Sequence, residues 1–528
     1  MSGPGQDASP SKEEGAGTIE FDSGPGRWIL MIAVLGSGIA FLDGTVVNVA
    51  LPDIGRDLDA TTSQLQWMLN GYLLTLASLI LLGGSLGDRI GRRRIFVIGT
   101  AWFTAASLLC AVAPSAEALI FARLLQGVGG ALLTPGSLAM IEASFRRADR
   151  ARAIGAWSGL TGVGAALGPL LGGYLVDAVS WRAVFLINLP LGLFVCVAAP
   201  RHVPETRDPM AGGRLDVLGA GLAALGLAGT TYALIQAPDE GASAAVVFAG
   251  VVGVLALIAF IVAERREANP MMPLTMFANR QFSAANLVTV VVYAALGGVF
   301  FLLVAFLQIS MGWSPLAAGA ASLPVTVLML LFSARSGALA QRIGARIPLT
   351  VGPFVIAAGM LLMTRIDPGD SYVSTVLPAV IVFGLGLTLV VAPVTATVLA
   401  AAPARNAGIA SGINNAVSRV AGLFAVAILP LIAGLTGDAF YDPVAMTDGF
   451  HMAMTATAAL AAFGGVIAWL TIDPNVLDTE AEPGGDTPIR LAHDFECAIC
   501  GSPLRPGREA DCHPAAAAAA ADSAAADR

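Results

Sequence analysis

Fourteen apolar runs of near membrane-spanning length recur between Trp28 and Ile472, and they constrain the fold of this chain more than any other feature. Each run is long enough to cross the ~30 Å hydrocarbon core of a bilayer as a helix. The runs lie near 28–50, 68–86, 95–113, 116–139, 153–177, 183–199, 215–236, 243–263, 284–307, 314–333, 347–364, 373–400, 406–434 and 451–472. Only 12% of the 528 residues are charged, about half of what a soluble protein carries. The sequence therefore predicts an all-α integral membrane protein whose core is the helix bundle itself.

Arginine is concentrated in the loops that follow even-numbered runs, whereas the opposite loops carry mainly acidic residues. The first set includes Arg89, Arg92, Arg93, Arg94, Arg146, Arg147, Arg150 and Arg152, and the second includes Asp53, Asp57, Asp239, Asp367 and Asp438. By the positive-inside rule, both termini are predicted to be cytoplasmic in a multi-pass protein of the cell (plasma) membrane. Lys12 is the only lysine, and this heavy use of arginine favours a GC-rich bacterial source and thus a bacterial inner membrane.

The chain resembles itself at one fixed offset of 253 residues. GSLGDRIGRR (84–93) aligns with GALAQRIGAR (337–346), and GAWSGL (155–160) aligns with GIASGI (408–413). Two independent matches at one offset predict two six-helix halves in the same orientation, with a substrate site between them. The predicted units are a disordered cytoplasmic tail (1–27), a first half (28–200), an inserted helix pair with flanking loops (201–282), a second half (283–472) and a cytoplasmic tail (473–528).

Small residues mark the fifth apolar run, GAWSGLTGVGAALGPLLGG (155–173). Its key positions are Gly155, Gly164, Gly168, Pro169, Gly172 and Gly173. Glycines at helical spacing let the backbone of a neighbouring helix approach closely, and the proline removes a hydrogen bond and bends the helix. Such a helix suits a protein that rocks between two states, although simple tight packing accounts for the same pattern.

Several segments together resemble the major facilitator superfamily, and in particular its fourteen-helix drug–proton antiporter branch. GSLGDRIGRRR (84–94) is similar to that family's loop between helices 2 and 3, RLLQGVGGA (123–131) to its helix-4 motif, and 155–173 to its antiporter motif. LDGTVVNVALP (42–52), WRAVFLINLPLG (181–192) and ARNAGIASGINNAVSRVAG (404–422) resemble the fourteen-helix branch. The resemblance spans residues 28–472 and implies a major facilitator fold, a monomer, and transport driven by a proton gradient with no cofactor.

Two charged residues fall inside predicted spans, Asp43 in the first and Arg123 in the fourth. Charges inside a bilayer are costly, and they face a cavity or each other. Each lies about seven positions, or ~10 Å, from the outer end of its run, so the two side chains can interact. Burial disfavours an ionised carboxylate and a nearby guanidinium favours it, so a change in their separation would bind and release a proton. The resemblance also implicates the helix-4 arginine in coupling, and the alternative is a fixed ion pair that joins two helices.

The loop between the second and third runs is a candidate conformational latch. It comprises Gly84, Gly87, Asp88, Arg89, Gly91 and Arg92. Gly87 and Gly91 permit a tight turn, and the Asp88 carboxylate can meet the positive N-terminal end of another helix. The resemblance implies that this partner is the start of helix 13, near Arg405, so that the contact would join the halves when the cytoplasmic side is closed. For Arg92 and the two arginines after it, control of topology is the simpler interpretation.

Five polar residues within the spans are candidates for lining a substrate cavity, namely Asn48, Tyr72, Gln126, Gln308 and Arg419. Arg419 is predicted near the middle of helix 13, where it would bind an anionic group or a coupling carboxylate. Equally, it would pair with helix-end carbonyls and with Asn414 and Asn415. For the four uncharged residues, hydrogen bonds that join helices are the alternative. The phenylalanines Phe300, Phe301 and Phe306 are expected to contact lipid, with a substrate site as the alternative.

The polar, alanine-rich C-terminal tail contains a cluster of soft ligands, Cys497, Cys500, Cys512 and His513. Their types and the C-x2-C spacing are those of a zinc site. The second pair is adjacent in sequence and fits poorly around a tetrahedral ion, so the alternative is an unstructured tail with free thiols.

The predicted function is proton-coupled efflux of amphipathic drug-like or antibiotic compounds by alternating access. One alternative is an exporter of a specific anionic or lipid-like metabolite, and another is a transporter-like sensor that signals through its C-terminal tail. The spans contain no metal triad, nucleophile elbow or Walker motif, so neither an enzyme nor an ATP-driven pump is expected. The expected partners are a small amphipathic substrate, protons and the bilayer, with no nucleic acid.

Overall fold

The computed structural model describes residues 17–207, 215–403 and 406–477. Within these ranges, fourteen helices are long and apolar enough to cross a membrane. They are α1 (Gly24–Asp57), α2 (Thr62–Ile90), α3 (Arg92–Ala111), α4 (Ala116–Ser144), α5 (Arg147–Ala178), α6 (Ala183–His202), α7 (Val217–Glu240), α8 (Ala244–Arg266), α9 (Arg280–Ile309), α10 (Pro315–Ile343), α11 (Arg346–Met363), α12 (Tyr372–Ala400), α13 (Gly408–Ile432) and α14 (Pro443–Thr471). The predicted all-α membrane fold is confirmed. The tail residues Cys497, Cys500, Cys512 and His513 lie outside the described residues.

Helices satisfy their backbone hydrogen bonds internally, which a bilayer requires because it offers no water to exposed N–H and C=O groups. Polar side chains cap the ends where these groups would otherwise lack partners. Thr61 and Gln64 form a reciprocal capping box at the start of α2, and Ser115 accepts a hydrogen bond from the backbone of α4. The spans therefore begin at polar residues that the apolar pattern alone does not reveal.

The first helix is longer than its apolar run, because α1 continues through Pro52 to Asp57. The prediction that Asp53 and Asp57 lie in a loop is therefore wrong. Asp43 lies ~21 Å from this end of α1 at 1.5 Å per residue, not ~10 Å. Arg123 lies seven residues into α4 as expected. Because Asp43 and Arg123 are in contact, the last turns of α1 extend beyond the start of α4.

The helix contacts within α1–α6 recur within α9–α14. In the first group α1 packs on α5, α4 packs on α2 and α3, and α3 packs on α6. In the second group α9 packs on α13, α12 packs on α10 and α11, and α11 packs on α14. Contacts between the groups join α2 to α13, α5 to α10 and α1 to α9. Helices α7 and α8 pack on each other, and α7 also contacts α2 and α13.

Helix ends alternate between two faces of the bundle. We call the side where α2 ends and α3 begins the arginine-rich face, and the opposite side, where α1 ends and α2 begins, the acidic face. Among the described residues, every hydrogen bond between α1–α6 and the chain after residue 280 lies towards the acidic face. These bonds are Thr62 to the Gly437 carbonyl, Gln66 to the Val426 and Ala427 carbonyls, Gln308 to the Val49 carbonyl, Tyr441 to the Ala60 carbonyl, and the Leu316 amide to Asp177. The two groups are thus closed against each other on that side.

The segment before α1 is anchored at the arginine-rich face. Ile19 pairs with Phe145 in a parallel β-bridge, the Phe21 amide donates to Asp149, and the Asp22 carboxylate accepts from Arg152 at 2.8 Å. The expectation of a tail without structure as far as residue 27 is therefore not met, because residues 17–23 bind the link between α4 and α5 and α1 begins at Gly24.

Candidate functional site

Asp43 and Arg123 meet inside the first group of helices, in a set of side chains that we call the buried polar cluster. The cluster comprises Asp43 on α1, Ser107 on α3, Arg123 and Gln126 on α4, and Asn188 on α6. Asp43 is 0% exposed and Arg123 is 1% exposed. All five residues are buried, so the cluster does not open into a cavity in this conformation.

The Asp43 carboxylate accepts hydrogen bonds from three donors. Arg123 forms an ion pair with one carboxylate oxygen, while Gln126 and Asn188 donate to the other at 2.8 Å and 3.1 Å. The Ser107 hydroxyl accepts from both of these amides, at 2.8 Å and 3.3 Å. The carboxylate therefore has a counter-ion and two fixed amide donors within hydrogen-bond distance.

The Arg123 guanidinium is fixed by contacts of its own. Its Nε donates to the Met68 carbonyl on α2 at 2.9 Å, and Nη1 donates to Gln126 at 2.5 Å. The guanidinium carbon lies 4.5 Å from the centre of the Tyr72 ring, and the Tyr72 hydroxyl donates to the Ala40 carbonyl at 3.3 Å. Arg123 thus connects α1, α2 and α4, so movement of any one of these helices would disturb the pair.

Sequence reasoning predicted Asp43, Arg123 and Gln126 but missed Ser107 and Asn188. Asn188 lies within the segment WRAVFLINLPLG (181–192), which indicates a family resemblance but no role for this side chain. Its position at the break between the two helical stretches of α6 brings its amide beside the cluster. Ser107 carries no signal beyond being polar in an apolar run.

The glycines of α5 divide into two sets. A Cβ at Gly168 or Gly172 would meet Thr45 or Val46, so these glycines allow α5 to lie directly on α1. At Gly173 an added Cβ would lie 2.5 Å from the Pro315 carbonyl oxygen of α10, which makes this glycine necessary for contact between the two groups. By contrast, Gly155 has no neighbour within 4 Å, and Gly164 approaches only a backbone carbon of α1, at 3.9 Å. Close packing is therefore a property of the end of α5 near the acidic face.

A second close approach accompanies Gly173. The Cβ of any other residue at Gly319 on α10 would collide with the Pro169 carbonyl of α5. Shifted by the internal offset of 253 residues, Gly173 corresponds to Val426 and Gly319 to Gln66. Gln66 donates to the Val426 carbonyl at 2.8 Å. The two groups are thus joined at two places that the internal repeat relates to each other. At one place Gly173 and Gly319 allow close backbone contact, and at the other Gln66 and Val426 form a hydrogen bond.

In the candidate latch, the Asp88 carboxylate contacts a residue of the same loop. Asp88 accepts a hydrogen bond from Arg92 Nε at 2.9 Å. Its predicted partner is the start of helix 13 near Arg405, and Arg405 lies outside the described residues. Gly91 has φ 130° and its added Cβ would meet Glu205, so this position requires glycine. Gly87 lies within α2, and a Cβ added at Gly84 would meet only Pro135, at an ordinary contact distance of 3.6 Å. The tight turn therefore depends on Gly91 alone. Arg89 is the basic residue in the last turn of α2, which ends at Ile90.

The arginines after Gly91 were assigned only to topology, but two of them also make contacts with the chain beyond α6. The backbone and side chain of Arg93 contact the Glu205 carboxylate, and Arg93 also donates to the Val203 carbonyl at 2.9 Å. Arg94 lies 3.7 Å from the same carboxylate. These contacts attach the start of α3 to the chain that follows α6.

The five candidate cavity residues lie in different places. Gln126 belongs to the buried polar cluster, Gln308 is buried and donates to the Val49 carbonyl at 2.9 Å, and Tyr72 is 1% exposed beneath Arg123. None of these three lines an open cavity in this conformation. Asn48 and Arg419 are partly exposed, and the Arg419 guanidinium lies 5.1 Å from the Phe41 ring of α1, between the two groups of helices.

A family model described as the Major Facilitator Superfamily matches residues 33–426, which is most of the chain. The chain belongs to the major facilitator superfamily. Among its relatives, a "Probable actinorhodin transporter" of Streptomyces coelicolor is 36% identical over 85% of this chain and 80% of the relative. "Multidrug resistance protein Stp" of Mycobacterium tuberculosis is 35% identical over 78% of this chain and 77% of the relative. The chain is thus a superfamily transporter similar to bacterial drug and antibiotic exporters.

Solved structures agree with the fold. A crystal structure of the peptide transporter POT in complex with sulfate aligns with a TM-score of 0.62 and 17% sequence identity, and it covers 89% of this chain and 99% of that one. As a superfamily member, the chain is a multi-pass membrane transporter and not an enzyme, and transport in this family needs no cofactor.

Proposed function

We propose that this superfamily member is a proton-coupled exporter of amphipathic drug-like or antibiotic compounds, with the arginine-rich face in the cytoplasm. Its similarity to an actinorhodin transporter and to a multidrug resistance protein supports the substrate class. The distribution of arginine over the loops supports the orientation, since positive loops remain in the cytoplasm.

Transport would proceed by rocking of α1–α6 against α9–α14, with α7 and α8 as an inserted pair. The recurrence of helix contacts in the two groups supports this division. In the described conformation, hydrogen bonds and glycine contacts close the acidic face. An outward-open state would have to break these bonds, among them Tyr441 to Ala60 and Gln66 to Val426.

The observation that carries proton coupling is the complete burial of the Asp43–Arg123 pair. A buried carboxylate stays ionised only while its cation and its amide donors remain in place. If α1 moves relative to α4 during rocking, Asp43 loses Arg123 and takes up a proton. Return to the described state restores the ion pair and expels that proton. One transport cycle would thus move a proton inward in exchange for a substrate molecule that moves outward.

A purely structural ion pair makes a different prediction, and removing both charges together distinguishes the two. A single substitution would leave an uncompensated buried charge, at a cost of about 3–5 kcal/mol. The double variant Asp43→Asn plus Arg123→Gln removes both charges and keeps polar side chains of similar size. The matched control is Asp57→Asn plus Arg182→Gln, which removes an Asp–Arg pair of 2.7 Å at the acidic face.

The assay uses proteoliposomes with an imposed pH gradient and two xanthene dyes, the cation rhodamine 123 and the anion carboxyfluorescein. Vesicles are separated from free dye, and the trapped dye is quantified at a fixed pH. For the unmodified chain we expect gradient-driven accumulation of at least one dye. We expect the double variant to lose gradient-driven accumulation while it still exchanges dye across vesicles without a gradient.

Two results would contradict the proposal in different ways. If gradient-driven accumulation survives in the Asp43–Arg123 double variant, the pair is structural and coupling lies elsewhere. If the unmodified protein moves neither dye, the exporter assignment itself fails. The Asp57–Arg182 control should behave as the unmodified chain in both measurements.

A further inference from the structure

A second arginine lies deep in the membrane, and no described residue supplies a counter-ion to it as Asp43 does to Arg123. Arg419 is close to the middle of α13, eleven residues after Gly408 and thirteen before Ile432. At 1.5 Å per residue it is ~17 Å from the first residue and ~20 Å from the last residue of the helix, which places it near the centre of a ~30 Å hydrocarbon core.

The Arg419 guanidinium makes no hydrogen bond or ion pair with any residue that the structure describes, and its Nε is buried without a partner there. The neighbouring amides are engaged elsewhere. Asn414 donates to Asn286 and Thr289 at 3.2 Å and 2.9 Å, and Asn415 donates to the carbonyl one turn before it. The sequence-based alternative, in which Arg419 pairs with Asn414 and Asn415, therefore has no hydrogen bond to support it.

An aromatic ring from the first group of helices lies against this cation. The guanidinium carbon lies 5.1 Å from the centre of the Phe41 ring on α1. Arg419 thus lies where helices of both groups meet.

This position has access to open space. Phe41, Gly44 and Asn48 are partly exposed and recur at helical spacing on α1, so they form one continuous strip of the helix. Arg419 is partly exposed as well. An intramembrane cation that faces a cavity and lacks a protein counter-ion marks a pathway or a binding site for a charged group.

We propose that Arg419 binds the anionic group of the cargo, a carboxylate or a phenolate attached to an aromatic ring system that packs against Phe41. This inference rests on the proposed export function and narrows its substrate class to aromatic acids. The planar guanidinium matches a carboxylate with two parallel hydrogen bonds. Stacking on aromatic rings adds affinity for a flat ring system.

Anionic lipid is an alternative ligand, because its phosphate group would also form hydrogen bonds with the Arg419 guanidinium. Binding is therefore measured in nanodiscs of zwitterionic phosphatidylcholine and repeated with added phosphatidylglycerol. Carboxyfluorescein and rhodamine 123 serve as probes, since they share the xanthene skeleton and differ in charge. No pH gradient is applied, so the result does not depend on proton coupling.

For the unmodified protein we expect carboxyfluorescein to bind and phosphatidylglycerol to leave its affinity unchanged. Arg419→Gln is expected to weaken carboxyfluorescein binding about 10-fold or more, because a charge-assisted hydrogen bond is lost. Arg419→Lys should restore part of the affinity, since it keeps the charge but not the planar fork. Binding of rhodamine 123 should not weaken in either variant. The control Arg365→Gln removes one exposed positive charge and should leave both dyes unaffected.

The proposal is overturned if the unmodified protein does not bind carboxyfluorescein, or if Arg419→Gln weakens both dyes equally. Competition by phosphatidylglycerol would assign the site to lipid instead of cargo. If Arg419→Gln does not fold, the unmodified protein supplies the test. Carboxyfluorescein, but not rhodamine 123, should then protect Arg419 from modification by phenylglyoxal, as measured by mass spectrometry. A failure of gradient-driven flux with intact dye binding would refute the proposed coupling and leave the Arg419 site in place.

Discussion

Gly173→Ala is expected to open the acidic face of the transporter. The added Cβ would lie 2.5 Å from the Pro315 carbonyl oxygen and 2.6 Å from the Leu316 Cα. Both neighbours are backbone atoms, so neither can rotate away as the end of a side chain could. The Leu316 amide is also bonded to Asp177 on α5 at 3.0 Å, which holds the two helices at this distance.

The magnitude follows from the overlap. An ordinary van der Waals contact begins near 3.4 Å, so the methyl group intrudes by almost 1 Å and forces α5 and α10 apart. Overpacking of this kind costs about 1–3 kcal/mol. If the outward-open state separates the same helix ends, it does not incur this cost. The ratio of outward-open to described molecules should then rise by about 5- to 150-fold.

Gly155→Ala is the matched control, because it adds the same methyl group to the same helix where no atom lies within 4 Å. The assay is a distance distribution between spin labels on a cysteine-free background. Arg56→Cys and Asp438→Cys provide the labels, since both positions are exposed near the acidic face. Gly173→Ala should enlarge the long-distance population and Gly155→Ala should not. An unchanged distribution in a folded Gly173→Ala protein would refute this reasoning, as would an equal shift in both variants.

Two other perturbations have defined outcomes. Asn188→Leu should lower the free energy of unfolding by about 1–3 kcal/mol, because Asp43 loses a buried donor. Thermal denaturation should show this loss. The control Asn48→Leu, at a partly exposed position, should change the stability little. Tyr441→Phe removes the hydrogen bond to Ala60 and should shift the distance distribution towards the open state by about 1 kcal/mol. Burial raises the pKa of Tyr441 to about 12, above the usual tyrosine value of about 10, so this bond should persist as the pH rises through 10 and be lost only as it approaches 12. A transition already complete at pH 10 in the unmodified protein, or the same pH profile in Tyr441→Phe, would contradict that assignment.

The fourteen spans could be predicted because hydropathy is additive along a helix, whereas their ends depend on polar residues and local geometry. The apolar run of α1 stops near residue 50, yet the helix continues to Asp57. One proline removes a single hydrogen bond, which is not enough to end a helix that is packed on both sides. Likewise, residues 17–23 look like a polar tail, but their charges are complementary to the arginines of the link between α4 and α5.

Side-chain orientation was harder to predict within helices that are apolar all round. Phe301 and Phe306 were expected to contact lipid, and that prediction is wrong because both are buried, with Phe306 stacked on Phe450 at 4.2 Å. A helix without a polar face gives no periodicity from which to assign its lipid side. Asp43 and Arg123 could be paired in advance because charges in a bilayer seek partners. Asn188 and Ser107 could not, since their distances to the carboxylate depend on how α3 and α6 pack.

The position of α7 has a consequence for how compounds dissolved in the lipid reach the transporter. A bundle of two similar groups has two lateral openings towards the bilayer, one beside α2 and α13 and the other beside α5 and α10. Helix α7 contacts both α2 and α13, and α8 packs behind it, so the first opening is covered by an additional layer of protein. If a hydrophobic substrate enters from the lipid, this covering would confine its entry to the side beside α5 and α10.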